Sequence, residues 1–451
     1  MLRPLSLLTL LLAGHACAAD SFMLSNPEHT AVAMVERYPL QSPASFNIPY
    51  DGEFKAAFPG GFPFAPGSGL ALKKIDKDGS LIFWAISDRG PNGDAPKVAQ
   101  GDKKLASKVF PASAFVPQLV EIRVSLADKA TVIRSQPLHF DKEPASGLPL
   151  PAGTTGSTGE VALSDTLTTL APSPRGIDPE GVSVDKEGKL WLADEYGPFL
   201  LQVDPATGQI LQQLAPGKGL PDVLASRQPN RGFEGVAVAP NGKVYAVVQS
   251  TLDLNKETRS TAGLIRMVEY DPGTGQSRMF AYPLDPVYKK NGDAKLGDLV
   301  AIDNTRFLTI EQGKGADKKM RNVLYVLDIA GADDLGSKKL ADGREFEYAS
   351  KDELAGLKLI RKQRIADLRE LGWQAEKAEG LALVEGRIAV INDNDFGLKA
   401  EIDGASSKDA EDAVLVDGKL AQGRYVLKPN QDSTELWLLH LKQGLSSYFP
   451  R

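Results

Sequence analysis

One arrangement of apolar and polar positions recurs along this chain. Each copy places an acidic residue next to a glycine, continues with an apolar run, a tight polar turn and a second apolar run, and ends in polar residues. Four copies cover residues 179–195, 233–249, 297–312 and 378–393, and a looser copy without the leading acid covers 69–88. Two short apolar runs joined by a tight turn predict a β-hairpin.

Further strand-like segments follow most copies and complete each repeat. Residues 199–203 and 209–214 follow the copy at 179–195, with a turn rich in Asp, Pro and Gly between them. Units of four strands that recur along a chain are typical of a β-propeller. Five units are visible, and 40–68 or 141–179 could hold a sixth. We therefore expect an all-β fold, a β-propeller of five or six four-stranded blades.

The two ends of the chain are expected to meet in the last unit. That unit ends with a third strand over 435–441, and residues 30–40 near the other end are strand-like. Pairing of these two segments would close the ring of blades and leave no exposed edge strand.

Two segments interrupt the repeat. Ser350 and Glu353 form a capping box ahead of leucines and isoleucines at helical spacing, which predicts one inserted helix over 350–373. Residues 141–177 are rich in Pro, Gly, Ser and Thr and are expected to form a long loop excursion. Both segments are interpreted as insertions into a single β-propeller domain over 19–451.

Residues 1–18 have the pattern of a signal peptide. Arg3 precedes an apolar stretch, and Ala16-Cys17-Ala18 has the small-x-small form of a cleavage site, so we expect cleavage after Ala18. The apolar stretch is far shorter than the ~20 residues that span a bilayer, which argues against a membrane span. The expected location is the periplasm or the medium. The single cysteine would leave with the signal peptide.

The amino-acid composition argues against several classes of protein. The chain has 52 Lys+Arg against 58 Asp+Glu and 42% hydrophobic residues, which disfavours both disorder and nucleic-acid binding. It contains only 4 His and no Gly-x-Ser-x-Gly motif, so a Ser–His–Asp hydrolase has few candidate bases. The expected protein is a soluble monomer that acts on a small anionic ester.

The leading acids of the repeats are the first candidates for chemistry. In a hairpin, the start of the first strand and the end of the second strand lie at the same end, so Glu180, Glu234, Asp298 and Glu379 should ring the central channel. Like charges placed so closely must take up protons or bind a cation. Because Ca²⁺ takes 6–8 oxygen ligands, these four acids are predicted to bind a divalent cation, with Ca²⁺ preferred. The alternative is that each acid accepts hydrogen bonds from backbone amides of a neighbouring blade.

Polar residues at the ends of the second strands should share the same rim. The predicted catalytic residues, as further metal ligands, general base or charge stabiliser, are Asp88, Arg89, Asp194, Glu195, Glu311 and Asp393. The predicted substrate-binding residues are Arg89, Arg231, Lys314, Tyr196 and Asn392. Arginine and lysine would neutralise an anionic substrate. The alternative for Asp88 and Arg89 is a turn with an internal ion pair.

Several of these motifs resemble a known family. The motifs are Asp88-Arg89-Gly90-Pro91-Asn92, Asp178-Pro179-Glu180-Gly181, Ala193-Asp194-Glu195-Tyr196-Gly197, Phe233-Glu234-Gly235-Val236, Ala378-Glu379-Gly380-Leu381 and Asn392-Asp393-Asn394-Asp395. Taken together, they resemble the exported bacterial proteins of the phytase-like family with esterase-like activity. The resemblance implies a β-propeller and a phosphoric-ester hydrolase. By looser analogy, β-propeller phytases hold phosphate and activate water with calcium ions in an acidic channel.

The leading hypothesis is therefore an exported, metal-dependent ester hydrolase that prefers phosphoric esters and acts at the acidic mouth of the channel. Two alternatives remain open. The first is a non-catalytic propeller that binds a ligand or a protein and uses the ion only to hold its blades together. The second is a propeller-type lactonase with one divalent ion.

Overall fold

The recurring hairpins build an all-β structure. A computed structural model describes residues 20–23, 31–126 and 129–450. The predicted signal peptide, residues 1–18, lies outside the described residues. Within them, each repeat pairs its two apolar runs as antiparallel strands and adds two further antiparallel strands. We call each set of four neighbouring strands a unit and number the units in chain order of their first strand.

The five units have the following strands, given in order of pairing. Unit 1 contains Gly69–Ile75, Leu81–Ile86, Gln118–Val124 and Ala130–Pro137. Unit 2 contains Pro179–Val184, Leu190–Asp194, Phe199–Asp204 and Gln209–Pro216. Unit 3 contains Phe233–Val238, Val244–Val248, Leu264–Asp271 and Gln276–Pro283. Unit 4 contains Lys295–Ala301, Arg306–Lys314, Met320–Asp328 and Arg361–Asp367. Unit 5 contains Gly380–Val384, Arg387–Ile391, Glu435–Leu441 and Val32–Gln41.

The first strands of the units form a closed ring. Each first strand contacts the first strand of the next unit, and the first strand of unit 5 contacts that of unit 1. This is the arrangement of a β-propeller, in which the first strand of every unit faces a common axis. The all-β class and the propeller-like arrangement of the sheets agree with the prediction.

The predicted closing strand is confirmed. Val32–Gln41 pairs antiparallel with Glu435–Leu441 and supplies the fourth strand of unit 5. The far end of Val32–Gln41 also pairs in parallel with two residues of Ala130–Pro137, so units 5 and 1 belong to one continuous nine-stranded sheet. Asp20–Met23 adds a strand on the other side of Val32–Gln41.

The predicted helix over 350–373 is wrong beyond its first turn. Ser350 and Glu353 do form the capping box, but the α-helix covers only Lys351–Ala355 and ends at Gly356. Arg361–Asp367 is instead the fourth strand of unit 4, paired with Met320–Asp328. The long-range partner strand supplies backbone hydrogen bonds and a buried place for Ile365, which outweighs the local helical spacing of apolar residues.

Short elements connect the units and cover the rim. The short strands outside the units are Gly93–Asp94, Lys97–Gln100, Lys103–Leu105, Ser107–Val109, His139–Phe140, Glu143–Pro144, Val161–Leu163, Gly219–Leu220, Leu398–Asp403, Val414–Val416, Lys419–Leu420 and Arg424–Pro429. The 3₁₀ turns are Ala44–Phe46, Asp222–Ser226, Leu254–Lys256, Asn291–Asp293, Phe346–Tyr348, Leu368–Leu371, Asp395–Gly397, Ala410–Asp412 and Leu445–Ser447. The segment 141–177 holds two of these short strands and is otherwise irregular.

Glycines allow the first strands to pack backbone to backbone at the axis. A Cβ atom on Gly235 would lie 2.4 Å from the backbone nitrogen of Leu299, and one on Gly181 would lie 2.8 Å from the carbonyl oxygen of Glu234. A Cβ atom on Gly69 would lie 2.8 Å from the Cα atom of Gly181. Real Cβ atoms do not approach backbone atoms so closely, so any larger residue here would push the strands apart.

We predict that Gly235→Ala destabilises the protein by about 1–3 kcal/mol, the usual cost of overpacking. The matched control is Gly60→Ala, where a Cβ atom would lie 3.7 Å from the nearest atom, the side-chain nitrogen of Asn47. Urea unfolding followed by circular dichroism measures both. Equal free energies of unfolding for the two variants would contradict close packing of the strands at the axis.

Candidate functional site

The leading acids of three repeats meet at one end of the axis. Glu180, Glu234 and Glu379 each directly precede an axial glycine, and all three side chains are buried. Burial, followed by the charges of Asp178 and Glu234, raises the pKa of Glu180 well above its usual range. Burial and the charge of Glu379 raise the pKa of Glu234 to about 8. The charges of these carboxylates therefore act on one another, and we call Glu180, Glu234 and Glu379, with the polar side chains that join them, the acidic cluster.

A second set of polar side chains joins the cluster from the ends of the second strands. Asp88, Glu195, Gln249 and Asp393 follow the second strands of units 1, 2, 3 and 5. The Gln249 amide donates hydrogen bonds to Glu195 at 3.0 Å and to Glu234 at 2.7 Å, and thus links the two sets. Burial, then the charges of Asp393 and Asp178, raises the pKa of Asp88 well above its usual range.

Three carboxylates approach closely enough to share one metal ion. Asp88, Asp178 and Glu180 each offer an oxygen, and these oxygens lie within 4.8 Å of one another. Local hydrogen bonds orient two of them: Asp88 accepts from the backbone of Gly90 at 2.7 Å, and Asp178 accepts from the backbone of Arg89 at 3.0 Å. Candidate ligand atoms from unit 1, on Asp88, and from unit 2, on Asp178 and Glu180, therefore lie close together.

The chemistry of the free oxygens suits a hard cation. Among the described residues, four buried side-chain oxygens of this region accept no hydrogen bond, namely Ser68 Oγ, Asp178 Oδ2, Gln249 Oε1 and Glu379 Oε2. Asp178 Oδ2 does lie 3.6 Å from the Arg89 guanidinium. A buried oxygen without a partner is costly, and Ca²⁺ takes its ligands from carboxylate, amide and water oxygens. The residues present therefore fit a divalent cation.

Three charged residues at the site, Asp178, Lys295 and Lys377, were not among the predicted site residues, although the repeat contains a signal for all three. Asp178 and Lys377 each stand two residues before a leading acid, and Lys295 stands at the matching place in unit 4. Lys377 lies 3.6 Å from Glu379 and 3.4 Å from Asp393. The charge of Lys295 acts on Glu195, Glu234 and Glu379, where it opposes the rise of their pKa values.

The predicted cations have different surroundings. Arg89 is buried and is held by Glu160 at 3.2 Å, Asn92 at 3.3 Å and Asp178 at 3.6 Å. Arg231 donates to Ser250 at 3.2 Å and to the Gly292 carbonyl. Burial lowers the pKa of Arg231, and the negative charges of Glu195 and Glu234 oppose this shift. Arg231 therefore interacts electrostatically with the acids.

Lys314 does not belong to the buried cluster. It is exposed at the end of Arg306–Lys314, where it pairs across the hairpin with Met320. This position does not support the predicted contact between Lys314 and a substrate.

Asp298 is not a member of the acid ring. The pairing of unit 4 places Gly297 at the level of the leading acids and Asp298 at the level of the axial glycines, one residue later than expected. There its carboxylate accepts hydrogen bonds from the backbones of Leu299 at 2.8 Å, Leu381 at 2.9 Å and Leu70 at 3.4 Å. The alternative considered for these acids, a bond to backbone amides of neighbouring blades, is the correct one for Asp298.

Asp194 and Asn392 hold backbone and do not face the cluster. Asp194 is fully buried and accepts from the backbones of Asp178 at 2.7 Å and Gly197 at 3.1 Å. Burial raises its pKa to about 7. Asn392 accepts from the backbone of Glu435 at 2.7 Å. These hydrogen bonds occupy the Asp194 carboxylate and the side-chain oxygen of Asn392. The catalytic role expected of Asp194 and the substrate-binding role expected of Asn392 stay predictions, and Asn392 lines the cavity described below.

The side chains of Glu311 and Tyr196 are also engaged in contacts outside the acidic cluster. Glu311 accepts from the hydroxyl of Tyr282 in unit 3 at 2.5 Å and pairs with Lys362 of unit 4 at 2.7 Å. The Tyr196 hydroxyl donates to the Gly147 carbonyl at 2.7 Å, and its ring is fully buried. Neither side chain is free to serve the roles expected of it.

A cavity of about 630 Å³ opens beside the cluster. Lys377 and Asp393 line it, and the same two residues border the acids. Burial raises the pKa of Asp393 to about 7. The cavity therefore offers a route by which a ligand could reach the acids.

The molecule is thus a propeller-like all-β protein with a buried acidic site at one end of its axis. The chain belongs to the phytase-like family, described by the esterase-like activity of phytase, which matches residues 63–396. This stretch contains every member of the acidic cluster. Among the described residues, no helix has the length and apolar character needed to cross a membrane.

Relatives are distant. An uncharacterized secreted protein of Arthroderma benhamiae is 28% identical over 264 residues, which cover 47% of this chain and 49% of that protein. The chain thus spans about half the length of this curated relative.

Solved structures with some similarity include two lyases and a protein of unknown function. Virginiamycin B lyase from Staphylococcus aureus is 10% identical, with 80% of this chain and 100% of that chain covered and a TM-score of 0.25. A streptogramin B lyase is 10% identical, with 84% and 96% covered and a TM-score of 0.29. The protein from Dyadobacter fermentans is 11% identical, with 88% and 98% covered and a TM-score of 0.35.

We predict that Glu180→Gln weakens binding of Ca²⁺ at least about tenfold, since even the outer-shell partners of a metal are worth about 10–100-fold in affinity. Calorimetric titration of chelator-treated protein measures this. The matched control is Glu187→Gln, an exposed residue in the turn of the same hairpin. If both variants bind Ca²⁺ as the parent protein does, Glu180 is not a ligand.

We predict that the metal-free protein loses stability as the pH rises from about 4.5 to about 8. In this range folded Glu234 keeps a proton that the unfolded chain, with the ordinary value of 4.5, has released. The folded state binds more protons, so the free energy of unfolding falls with pH. Glu234→Gln should flatten the curve measured by thermal melting in chelator, whereas Glu187→Gln should not. Identical curves for parent and Glu234→Gln would contradict the shifted pKa.

Proposed function

We propose that the protein is an exported, monomeric hydrolase of ester bonds, with phosphoric esters preferred. It is one β-propeller domain over 19–451, and its five units correspond to five blades. A divalent cation, with Ca²⁺ preferred, would be held by Asp88, Asp178 and Glu180. The observation that carries the proposal is the approach of these three carboxylates to within 4.8 Å, in a region with buried oxygens that lack partners.

Membership in the phytase-like family supports the ester class. A bound divalent cation would supply Lewis-acid polarisation of the ester and a lowered pKa of its water. The residues of the chain would orient the metal ligands and balance the negative charge of the ester. Lys377 and Lys295 border the acids and oppose the negative charge of a phosphoric ester. Arg89, with its donors directed to Glu160, Asn92 and Asp178, positions Asp178 rather than the substrate.

Asp393 is the best placed general base. It borders both the acids and the cavity, and burial raises its pKa to about 7, near the pH at which a general base is most effective. In the reaction, a water oxygen forms a bond to phosphorus while the bond from phosphorus to the alcohol oxygen breaks. One water proton passes to Asp393, and the departing alcohol oxygen takes up a proton from solvent, to which Asp393 later releases its own. The products are the alcohol and inorganic phosphate.

We predict that Asp393→Asn lowers kcat for p-nitrophenyl phosphate by about 100-fold or more, the usual worth of a general base. Glu180→Gln should abolish the activation that follows when Ca²⁺ is restored to chelated protein. Release of p-nitrophenol measures both, and Glu187→Gln is the control.

A non-catalytic propeller with a structural ion is the second candidate. It is favoured by the surroundings of Arg89, which is buried, donates hydrogen bonds to Glu160 and Asn92 and pairs with Asp178, so that its charge is already balanced within the protein. Ca²⁺ that raises the melting temperature without any turnover of phosphoric esters, carboxylic esters or lactones would establish this candidate. Turnover of lactones alone would instead identify a lactonase.

A further inference from the structure

Arg227 differs from the other two buried arginines of the described chain. Arg89 and Arg266 each lie within 3.6 Å of two carboxylates, which balance their charges. Arg227 is only 9% exposed, yet it forms no ion pair with any described residue. A buried charge without a counter-ion is costly, since burial removes the water that would otherwise stabilise it. Arg227 is therefore a buried cation whose counter-ion is not supplied by the described chain.

Backbone carbonyls hold one side of the Arg227 guanidinium. Nε donates to the carbonyl of Tyr196 at 2.8 Å, and Nη2 donates to the carbonyls of Gly156 at 3.0 Å and Ser157 at 3.2 Å. Nη1 donates to nothing in the part of the chain that the structure describes, and it is not among the fully buried atoms that lack a partner. Nη1 therefore keeps accessible surface, and its two N–H groups are available to a ligand.

Arg227 lines a cavity of about 270 Å³, which we call the arginine cavity. Asp222 lines the same cavity, and the rest of its wall is uncharged. The Asp222 carboxylate has no cation within 4.0 Å in the described ranges, so it lies farther than this from the Arg227 guanidinium as well. One cation and one carboxylate, neither of them in an ion pair, thus border a single small cavity.

The electrostatics of Arg227 favour an anionic group in this cavity. Burial lowers the pKa of Arg227 to about 10, and the negative charges of Glu195 and Asp194 oppose this shift without cancelling it. An anion at Nη1 would stabilise the charged guanidinium further. Asp222 would repel a ligand that carries negative charge alone. A ligand that also carries a positive group satisfies both residues, and this is the charge pattern of a zwitterion.

A second cavity, also of about 270 Å³, adjoins the arginine cavity and shares Thr154, Thr155 and Pro216 with it. Lys218 lines this second cavity and is exposed to solvent. Most of the wall is apolar, and its further apolar residues are Leu150, Pro151, Pro174, Phe199 and Ala215. A ligand with its charged groups at Arg227 and Asp222 can therefore bury an apolar side chain next to them.

We propose that the two cavities form a binding site for a free α-amino acid with an apolar side chain. The carboxylate of the ligand accepts hydrogen bonds from Nη1 of Arg227, its ammonium group donates to Asp222, and its side chain lies in the second cavity. The proposal goes beyond the proposed function and does not depend on it, because no member of the acidic cluster lines either cavity.

Calorimetry of the full chain with a series of ligands tests which groups are recognised. L-Leucine carries both charges, 4-methylpentanoate lacks the ammonium group, and 3-methylbutylamine lacks the carboxylate. Leucine should bind at least about tenfold more tightly than either analogue, since each analogue loses one charge-assisted hydrogen bond. Glycine should also bind at least about tenfold more weakly than leucine, because it has no apolar side chain to bury.

Two variants place the ligand in the arginine cavity. Asp222→Asn, at an exposed position, should weaken leucine binding at least about tenfold but should not weaken binding of 4-methylpentanoate, which has no ammonium group. Arg227→Gln should weaken binding of both. The matched control is Asp102→Asn, an exposed aspartate in the turn between Lys97–Gln100 and Lys103–Leu105, which should change neither affinity. If Arg227→Gln does not fold, the ligand series and Asp222→Asn decide.

Three results would overturn the proposal. Equal affinities for leucine and 4-methylpentanoate would identify a site for simple anions. Absence of leucine binding would leave Arg227 with the structural task of holding three carbonyls. Leucine binding that is the same in Asp222→Asn, Asp102→Asn and the parent protein would place the ligand elsewhere. Hydrolysis of phosphoric esters is measured separately, so failure of the proposed function and failure of this proposal are distinguishable.

Discussion

The carboxylate of Asp298 is the interaction on which the ring of strands depends. It lies at the level of the axial glycines and accepts backbone hydrogen bonds from Leu70, Leu299 and Leu381, residues of units 1, 4 and 5. Backbones that meet around an axis leave amides with no strand partner, and a buried amide without a partner is costly. One carboxylate thus satisfies amides of three units at once, which ties the closure of the ring to a single side chain.

Closure of the ring also creates the site. Because the axial glycines bring the first strands together, the residue before each glycine is carried to the same rim, where Glu180, Glu234 and Glu379 meet. Their mutual repulsion is unavoidable in this geometry and must be relieved by protons, by Lys377 or by a cation. Stability and the candidate chemistry therefore share one set of strands, and a change at the axis acts on both.

The sequence pattern was sufficient to predict the hairpins, the closing strand and the positions of three leading acids, because hairpins and their turns are local features. It failed where the deciding contact is distant in the chain. Arg361–Asp367 follows a helical spacing, yet it pairs with Met320–Asp328. Asp298 has the spacing of a ligand, yet the order Gly297-Asp298 reverses the usual acid and glycine and moves the side chain to the axis. Asp178 carried a local signal, and only the fold shows that Asp88 lies beside it.

Neighbouring polar residues at the ends of the second strands divide two tasks between them. Successive side chains of an extended chain point in opposite directions. In Asp194-Glu195 the first residue accepts backbone hydrogen bonds and the second reaches the cluster, and in Asn392-Asp393 the same division holds. Asp194 also places one of the three candidate metal ligands, since its carboxylate accepts a hydrogen bond from the backbone amide of Asp178. In both pairs the alternation along the strand end thus separates the side chain that binds backbone from the side chain that reaches the acids.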